Sequence, residues 1–307
     1  MYTFAVEDSL TWLRFLREEG YVVLSAIAHS GEVAKARQLL WRNIEELWPN
    51  VSENDLSTWR QWPLSMHGIV PELSQSAGAW YVRGIPRVRE AFAKIWDDDD
   101  LIVSMDSVIC WRPWWYNANW KPITEGLHVD QNPIEKPTFS CVQGMMPLYS
   151  VTEDVGGLAV VPRSHLIESP WKQRYTRWRG KGDWCPLSLD DPLYKYACFL
   201  KANPGDLILW DSRTVHGGFT GNADVERKEN GAIVNRLARL SCTVSMVPRS
   251  RASASVLELR KVGFLQGAAF NHSPHEAGTS TGALRARFPD SFTYKPIKLT
   301  DNQRALL

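Results

Sequence analysis

Beyond about residue 100 the chain breaks into short apolar segments rich in β-branched and aromatic residues, at 101–111, 140–148, 159–161, 207–210 and 240–247, with turn-forming residues between them. Runs of strand length at this spacing favour an all-β sandwich or barrel. The first hundred residues read differently. Asp8-Ser9-Leu10 followed by Trp12, Leu13 and Leu16 has the cap and apolar spacing of a short helix, and Gly20 stops it. Tyr21-Val22-Val23-Leu24 follows as a strand. A helix is expected from Ser30 to Leu47, with Val33, Ala36, Leu40, Ile44 and Leu47 on one face, and a third over 87–96, closed by a solvated acidic turn at 97–100. No linker separates the two textures. The expectation is a mainly β protein with flanking α-helices, folded as a single domain. Its helical part, about 1–100, packs on a β core, about 101–250, and 251–307 form a C-terminal extension.

Charge and composition narrow the function classes. With a formal net charge of +1, nothing favours nucleic acid or an anionic membrane surface as the main partner. No apolar run reaches the length that spans a bilayer, and the first residues lack a basic segment followed by an apolar one. The 5 cysteines are dispersed and form no CxxC pair. They read as reduced thiols, and the expected location is cytoplasmic. The expected partner is a small-molecule substrate; the sequence does not constrain the oligomeric state. The 15 tryptophans are read as core packing, with a wide aromatic substrate pocket as the functional alternative. Two stretches read as long excursions between strands: the basic, aromatic 171–184, expected to cover the mouth of the barrel and contact substrate, and 220–233.

Of the 7 histidines, only His128 stands in an H-x-D arrangement, His128-Val129-Asp130. Residues two apart on an extended segment point to the same face, so imidazole and carboxylate can converge on one metal ion. His216, in the glycine-rich turn Val215-His216-Gly217-Gly218, is the best candidate for a third ligand. Two histidines and one carboxylate on one face of an octahedron leave positions open for a bidentate co-substrate and O₂, the arrangement of non-haem iron(II) oxygenases. Spacing alone leaves the plainer reading open, in which these are packing or surface residues. His29, His67, His272 and His275 have no partner at ligand spacing and are read as surface or packing residues.

Five segments, in order, resemble the phytanoyl-CoA dioxygenase family. Residues 15–24 are similar to its first helix and strand, and His128-Val129-Asp130-Gln131 to its proximal metal motif. Residues 156–165 resemble its strand ending in G-S-H, with Arg163 where the family usually has glycine. Pro204-Gly205-Asp206-Leu207-Ile208-Leu209-Trp210-Asp211 with His216 resembles the distal metal motif, and 239–248 the closing strand. The resemblance covers roughly residues 10–250. It implies a double-stranded β-helix, a cupin-like jelly roll. It also implies an Fe(2+) centre at His128, Asp130 and His216, with 2-oxoglutarate and O₂ as co-substrates and ascorbate supporting activity. Hydroxylation of a C–H bond is the implied default outcome. Asp130 argues against halogenation, since related halogenases lack this carboxylate. His165, at the family's turn, is read as structural.

The distal carboxylate of 2-oxoglutarate needs a cation, and a guanidinium can bind it bidentately. Arg239 and Arg236 compete; they have opposite parity on one strand, so only one can point inward. Arg239 is preferred because Ser241 shares its face and can add a hydroxyl, and because counting back from Met246-Val247-Pro248 places Arg239 at the family position. Gln143 and Arg112, in segments expected to line the barrel, are further candidates for the other end of the co-substrate, with core hydrogen bonding as the alternative. Two rival functions are a cupin-type isomerase, epimerase or dioxygenase that does not use 2-oxoglutarate, and a catalytically silent β-barrel that binds a ligand or protein.

Overall fold

The computed structural model describes residues 2–166, 182–222, 228–229, 232–276 and 288–307. Helix α1 (Ser9–Glu19) ends where Gly20 adopts a left-handed φ of 82°, and β1 (Tyr21–Leu24) starts at once. Helix α2 (Ser30–Leu47) is opened by a capping box: His29 Nδ1 accepts from the Glu32 N–H, and the Glu32 carboxylate returns to the His29 N–H. The predicted apolar face of α2 is buried as expected. Then come β2 (Ile69–Val70), α3 (Ala77–Arg83) and α4 (Pro86–Trp96).

From here the chain is β-rich, in strands β3 (Leu101–Val103), β4 (Val108–Trp111), β5 (His128–Val129), β6 (Val142–Pro147), β7 (Gly156–Val160), β8 (Cys185–Pro186), β9 (Cys198–Phe199), β10 (Leu207–Asp211) and β11 (His216–Thr220). A small hairpin, β12 (Lys228–Glu229) with β13 (Ala232–Ile233), lies within the expected excursion at 220–233, and β14 (Arg239–Pro248) follows. Strands β1, β10, β6, β14, β4 and β2 form a large antiparallel sheet in that order, with β3 on the far half of β14. Strands β8, β5, β11, β7 and β9 form a smaller one.

Two sheets and a helical layer explain why the strands read as continuous apolar runs rather than alternating ones. One face of the large sheet carries Val22, Leu24, Val142, Met146, Leu207, Leu209, Leu240, Cys242 and Val244, packed with Trp12, Leu16, Leu40, Trp41, Trp80 and Phe92 from the helices. The other carries Tyr21, Val23, Met145, Ile208 and Trp210, packed with Leu158 and Val160 of the small sheet. Along β1 and β10 both faces pack dry, so polar alternation has no place there; β14 is the exception, alternating Arg239, Ser241, Thr243 and Ser245 with the buried Leu240, Cys242 and Val244. The C-terminal part joins the same core. Helix α5 (Ala254–Gln266) buries Arg260, whose guanidinium donates to the carbonyls of Val103, Pro274, Leu306 and Leu307, and a last turn, α6 (Asp301–Arg304), follows. No helix among the described residues is long and apolar enough to cross a membrane.

Candidate active site

His128 and His216 face each other directly, as the paired residues of β5 and β11. Their rings are 4.5 Å apart between centroids. Asp130, two residues past His128, turns its carboxylate to both: Oδ1 is 3.7 Å from His128 Nε2 and Oδ2 is 3.2 Å from His216 Nε2. One ligand atom from each residue lies within 4.8 Å of the others. Close approach of the strands is what brings them together. A Cβ on Gly217 would stand 2.1 Å from the Gly126 carbonyl oxygen, so only glycine lets β11 lie this near the chain entering β5. Gly217→Ala should therefore cost about 3 kcal/mol, the upper end for overpacking because backbone must move, and should also lower iron affinity. Gly218→Ala, whose Cβ would meet only the Thr124 side chain at 3.2 Å, should do much less. Urea midpoints and iron content of the two variants check this.

The hydrogen bonds around the two imidazoles fit a metal. His128 Nδ1 donates to the Gly126 carbonyl at 3.0 Å and His216 Nδ1 donates to the Thr214 carbonyl at 2.9 Å. A carbonyl only accepts, so each Nδ1 bears a proton, and in its neutral form each ring presents an Nε2 lone pair toward Asp130. Three lone-pair donors aimed at one point need a cation between them. Burial, together with the neighbouring His128, lowers the His216 pKa. Burial also pulls His128 down, but Asp130 outweighs it and leaves His128 raised. Burial alone would raise the Asp130 carboxyl, yet the two imidazoles hold it well below the usual carboxylate range. An N₂O set of this kind suits iron(II). Gln143 on β6 donates its amide to Asp130 Oδ2 at 3.2 Å and so fixes the carboxylate's orientation. Groups that orient a metal ligand are worth roughly 10–100-fold in metal affinity. Gln143→Leu should weaken iron binding by about tenfold or more, measured by competition with a chelator.

These residues line a cavity of about 590 Å³ between the sheets, which also reaches Trp111, Trp184, Trp210, Arg239 and Phe270. Arg239, at the start of β14, is 4% exposed, and burial lowers its pKa to about 10. Its guanidinium stacks over Trp111 at 4.5 Å and donates to the Met145 thioether at 2.8 Å and to Ser241 Oγ at 3.4 Å. Among the described residues it has no carboxylate partner. Arg260, by contrast, saturates itself on four main-chain carbonyls. A buried guanidinium with so few acceptors, facing a cavity, can pair with an anion that enters it.

Two expectations are corrected. Arg112 does not reach the cavity. Trp111 ends β4 facing the cavity, and Arg112, just past the strand, turns the other way, where it donates to the carbonyls of Trp59 and Trp62 and stacks on Trp120. Arg236 is not on the closing strand, which begins at Arg239. It lies over the Tyr149 ring at 4.9 Å, away from the cavity. His67 and His272, read as surface or packing residues, both line the cavity, as does Asp106. No local motif marks them, because only the packing of distant turns brings them there. His165 bonds the Arg17 carbonyl and holds its turn against α1. Arg163 sits at φ 64°, a conformation that favours glycine, and its ion pair with Glu19 at 2.6 Å offsets the strain. Of the stretch 171–184, residues 171–181 lie outside the described residues; 182–184 line the cavity. Trp12, Trp41, Trp59 and Trp80 are core, as expected of packing residues, while Trp111, Trp184 and Trp210 line the cavity.

A family model for phytanoyl-CoA dioxygenase matches residues 16–228. The chain belongs to the phytanoyl-CoA dioxygenase family. Ava biosynthesis cluster protein O of Aspergillus versicolor is 28% identical over 283 residues, covering 85% of this chain and 84% of that protein. Among solved structures, a hypothetical protein of Escherichia coli superposes with a TM-score of 0.62 over 99% of this chain and 84% of its own, at 13% identity. The epimerase SnoN, solved with Fe³⁺, alpha ketoglutarate and nogalamycin RO, superposes with a TM-score of 0.53 at 16% identity, covering 79% of this chain and 84% of that one. The fold is thus the double-stranded β-helix of this family, with the His128–Asp130–His216 cluster between its sheets.

Proposed function

We propose that the chain is an iron(II)- and 2-oxoglutarate-dependent dioxygenase that hydroxylates a C–H bond of a small organic substrate. The observation that carries this reading is one cavity holding both a convergent two-histidine, one-carboxylate cluster and a buried guanidinium that has no carboxylate partner among the described residues. Iron(II), when bound, supplies the activation of O₂. The balance is R–H plus 2-oxoglutarate plus O₂ giving R–OH, succinate and CO₂. His128, Asp130 and His216 hold the metal, and Gln143 keeps Asp130 turned toward it. Arg239 and Ser241 take the distal carboxylate of 2-oxoglutarate. Trp111, buried against the guanidinium, limits water there and strengthens that ion pair. Iron, 2-oxoglutarate, O₂ and the small-molecule substrate are thus the expected ligands, with ascorbate keeping the metal reduced.

Arg239 speaks against a cupin-type enzyme that dispenses with 2-oxoglutarate, because such an enzyme has no need of an unneutralised cation in the dry part of its cavity. The complete ligand cluster speaks against a silent barrel. Iron- and O₂-dependent release of succinate from 2-oxoglutarate tests the reading. Slow uncoupled release is expected even without substrate, and its absence from iron-loaded protein across a broad substrate panel would contradict it.

A further inference from the structure

The iron-facing wall and Arg239 leave part of the cavity unassigned. That part holds a carboxylate, Asp106, in the turn between β3 and β4. It accepts one hydrogen bond, from the Ser107 backbone N–H at 2.6 Å, and makes no ion pair among the described residues. Arg83 is the permanent cation nearest in influence, but its guanidinium is committed to the main-chain carbonyls of Ser74 and of Asp106 itself. It lines a separate groove behind the turn rather than the cavity. Beside Asp106, Ser107 is 2% exposed and its hydroxyl has no hydrogen-bond partner among the described residues. The His272 ring stands close enough to act on the Asp106 charge. Ile69, Ile109 and Phe270 add apolar wall to the same cavity.

A carboxylate placed only for folding is met by a cation or by several donors, since burying it otherwise is costly. Asp106 has one donor and faces open space. Burial raises its carboxyl pKa, His272, the Ser107 N–H and Arg83 offset this in part, and the charge of Asp130 adds to the rise. A positive group arriving in the cavity would relieve both the burial and the repulsion. An anionic one would meet Asp106 and Glu125 on the same lining.

We propose that Asp106, with Ser107 and His272 beside it, recognises a cationic nitrogen on the substrate. The substrate class is then a small molecule with an apolar or aromatic body and a basic amine. This deepens the oxygenase reading and rests on it for the claim that the ligand is a substrate.

Three probes that share one skeleton and differ in charge test it: phenethylamine, 2-phenylethanol and phenylacetate. Their affinities are measured by anaerobic equilibrium dialysis against protein loaded with iron(II) and 2-oxoglutarate, as wild type and as Asp106→Asn. The amine should bind at least about tenfold more tightly than the alcohol, the scale of one charge-assisted hydrogen bond, and the carboxylate most weakly. Asp106→Asn should erase the difference between amine and alcohol while leaving iron and 2-oxoglutarate binding unchanged, and Asp106→Glu should keep it. Undetectable binding of the amine, equal affinity of the wild type for amine and alcohol, or a preference that survives in Asp106→Asn would overturn the proposal. Repeating the dialysis with iron but no 2-oxoglutarate separates the two claims. An amine preference there, in a protein that does not bind 2-oxoglutarate, would leave Asp106 assigned and remove the oxygenase reading instead.

Discussion

His128→Ala, Asp130→Ala and His216→Ala should each leave the protein folded, strip it of iron and abolish 2-oxoglutarate turnover. The three donors converge within 4.8 Å, and each is already oriented: the histidines by carbonyls that fix their tautomers, the aspartate by Gln143. Loss of an orienting partner costs roughly 10–100-fold in metal affinity, so loss of a ligand should exceed about 100-fold. His165→Ala is the control. Its ring bonds the Arg17 carbonyl outside the cavity, so iron content should stay near that of the wild type. Elemental analysis of the four purified variants reads the result. Normal iron in the His216 variant, with loss in the His165 variant, would mean that the third ligand is wrongly assigned.

Arg239→Met should weaken 2-oxoglutarate binding by roughly 30-fold or more. Removing one partner of a desolvated charge pair costs about 2–5 kcal/mol, and each 1.4 kcal/mol is tenfold. Methionine keeps much of the side chain's bulk against Trp111 and Met145, so the loss reports charge rather than packing. Ser241→Ala should cost on the order of 1 kcal/mol, one hydrogen bond. Arg236→Ala should change little, because that guanidinium lies on Tyr149 rather than in the cavity. Titrations of 2-oxoglutarate into the iron-loaded variants rank the three. A large loss in Arg236→Ala with a small one in Arg239→Met would exchange their roles.

H-x-D spacing made convergence of His128 and Asp130 possible without deciding it; the ordered resemblance to the family's two metal motifs singled out that pair and His216. The close approach of strands that Gly217 permits is visible only in the structure. For Arg112 the alternative of core hydrogen bonding holds: β4 ends at Trp111, and nothing local tells which of these two neighbours faces the cavity. Helix α5 went unseen because its buried face includes Arg260 and Gly263 beside Val256 and Phe264, which erases the apolar period. Helix α3, seven residues with Gly78 packed against Leu40, is too short and too glycine-dependent to show one. His67, His272 and Asp106 reach the cavity only through the tertiary arrangement of turns distant in sequence, which no spacing rule encodes.

The central claim is that one cavity binds iron on the His128–Asp130–His216 cluster and 2-oxoglutarate against Arg239. Anaerobic addition of 2-oxoglutarate to the iron(II)-loaded protein tests it most directly, through the visible iron-to-oxoglutarate charge-transfer absorbance. The account predicts a saturable band in the wild type, no band in Asp130→Ala, and a band in Arg239→Met that needs roughly 30-fold more 2-oxoglutarate. An iron-loaded wild type that develops no band, or an Arg239→Met variant that titrates like the wild type, would contradict it.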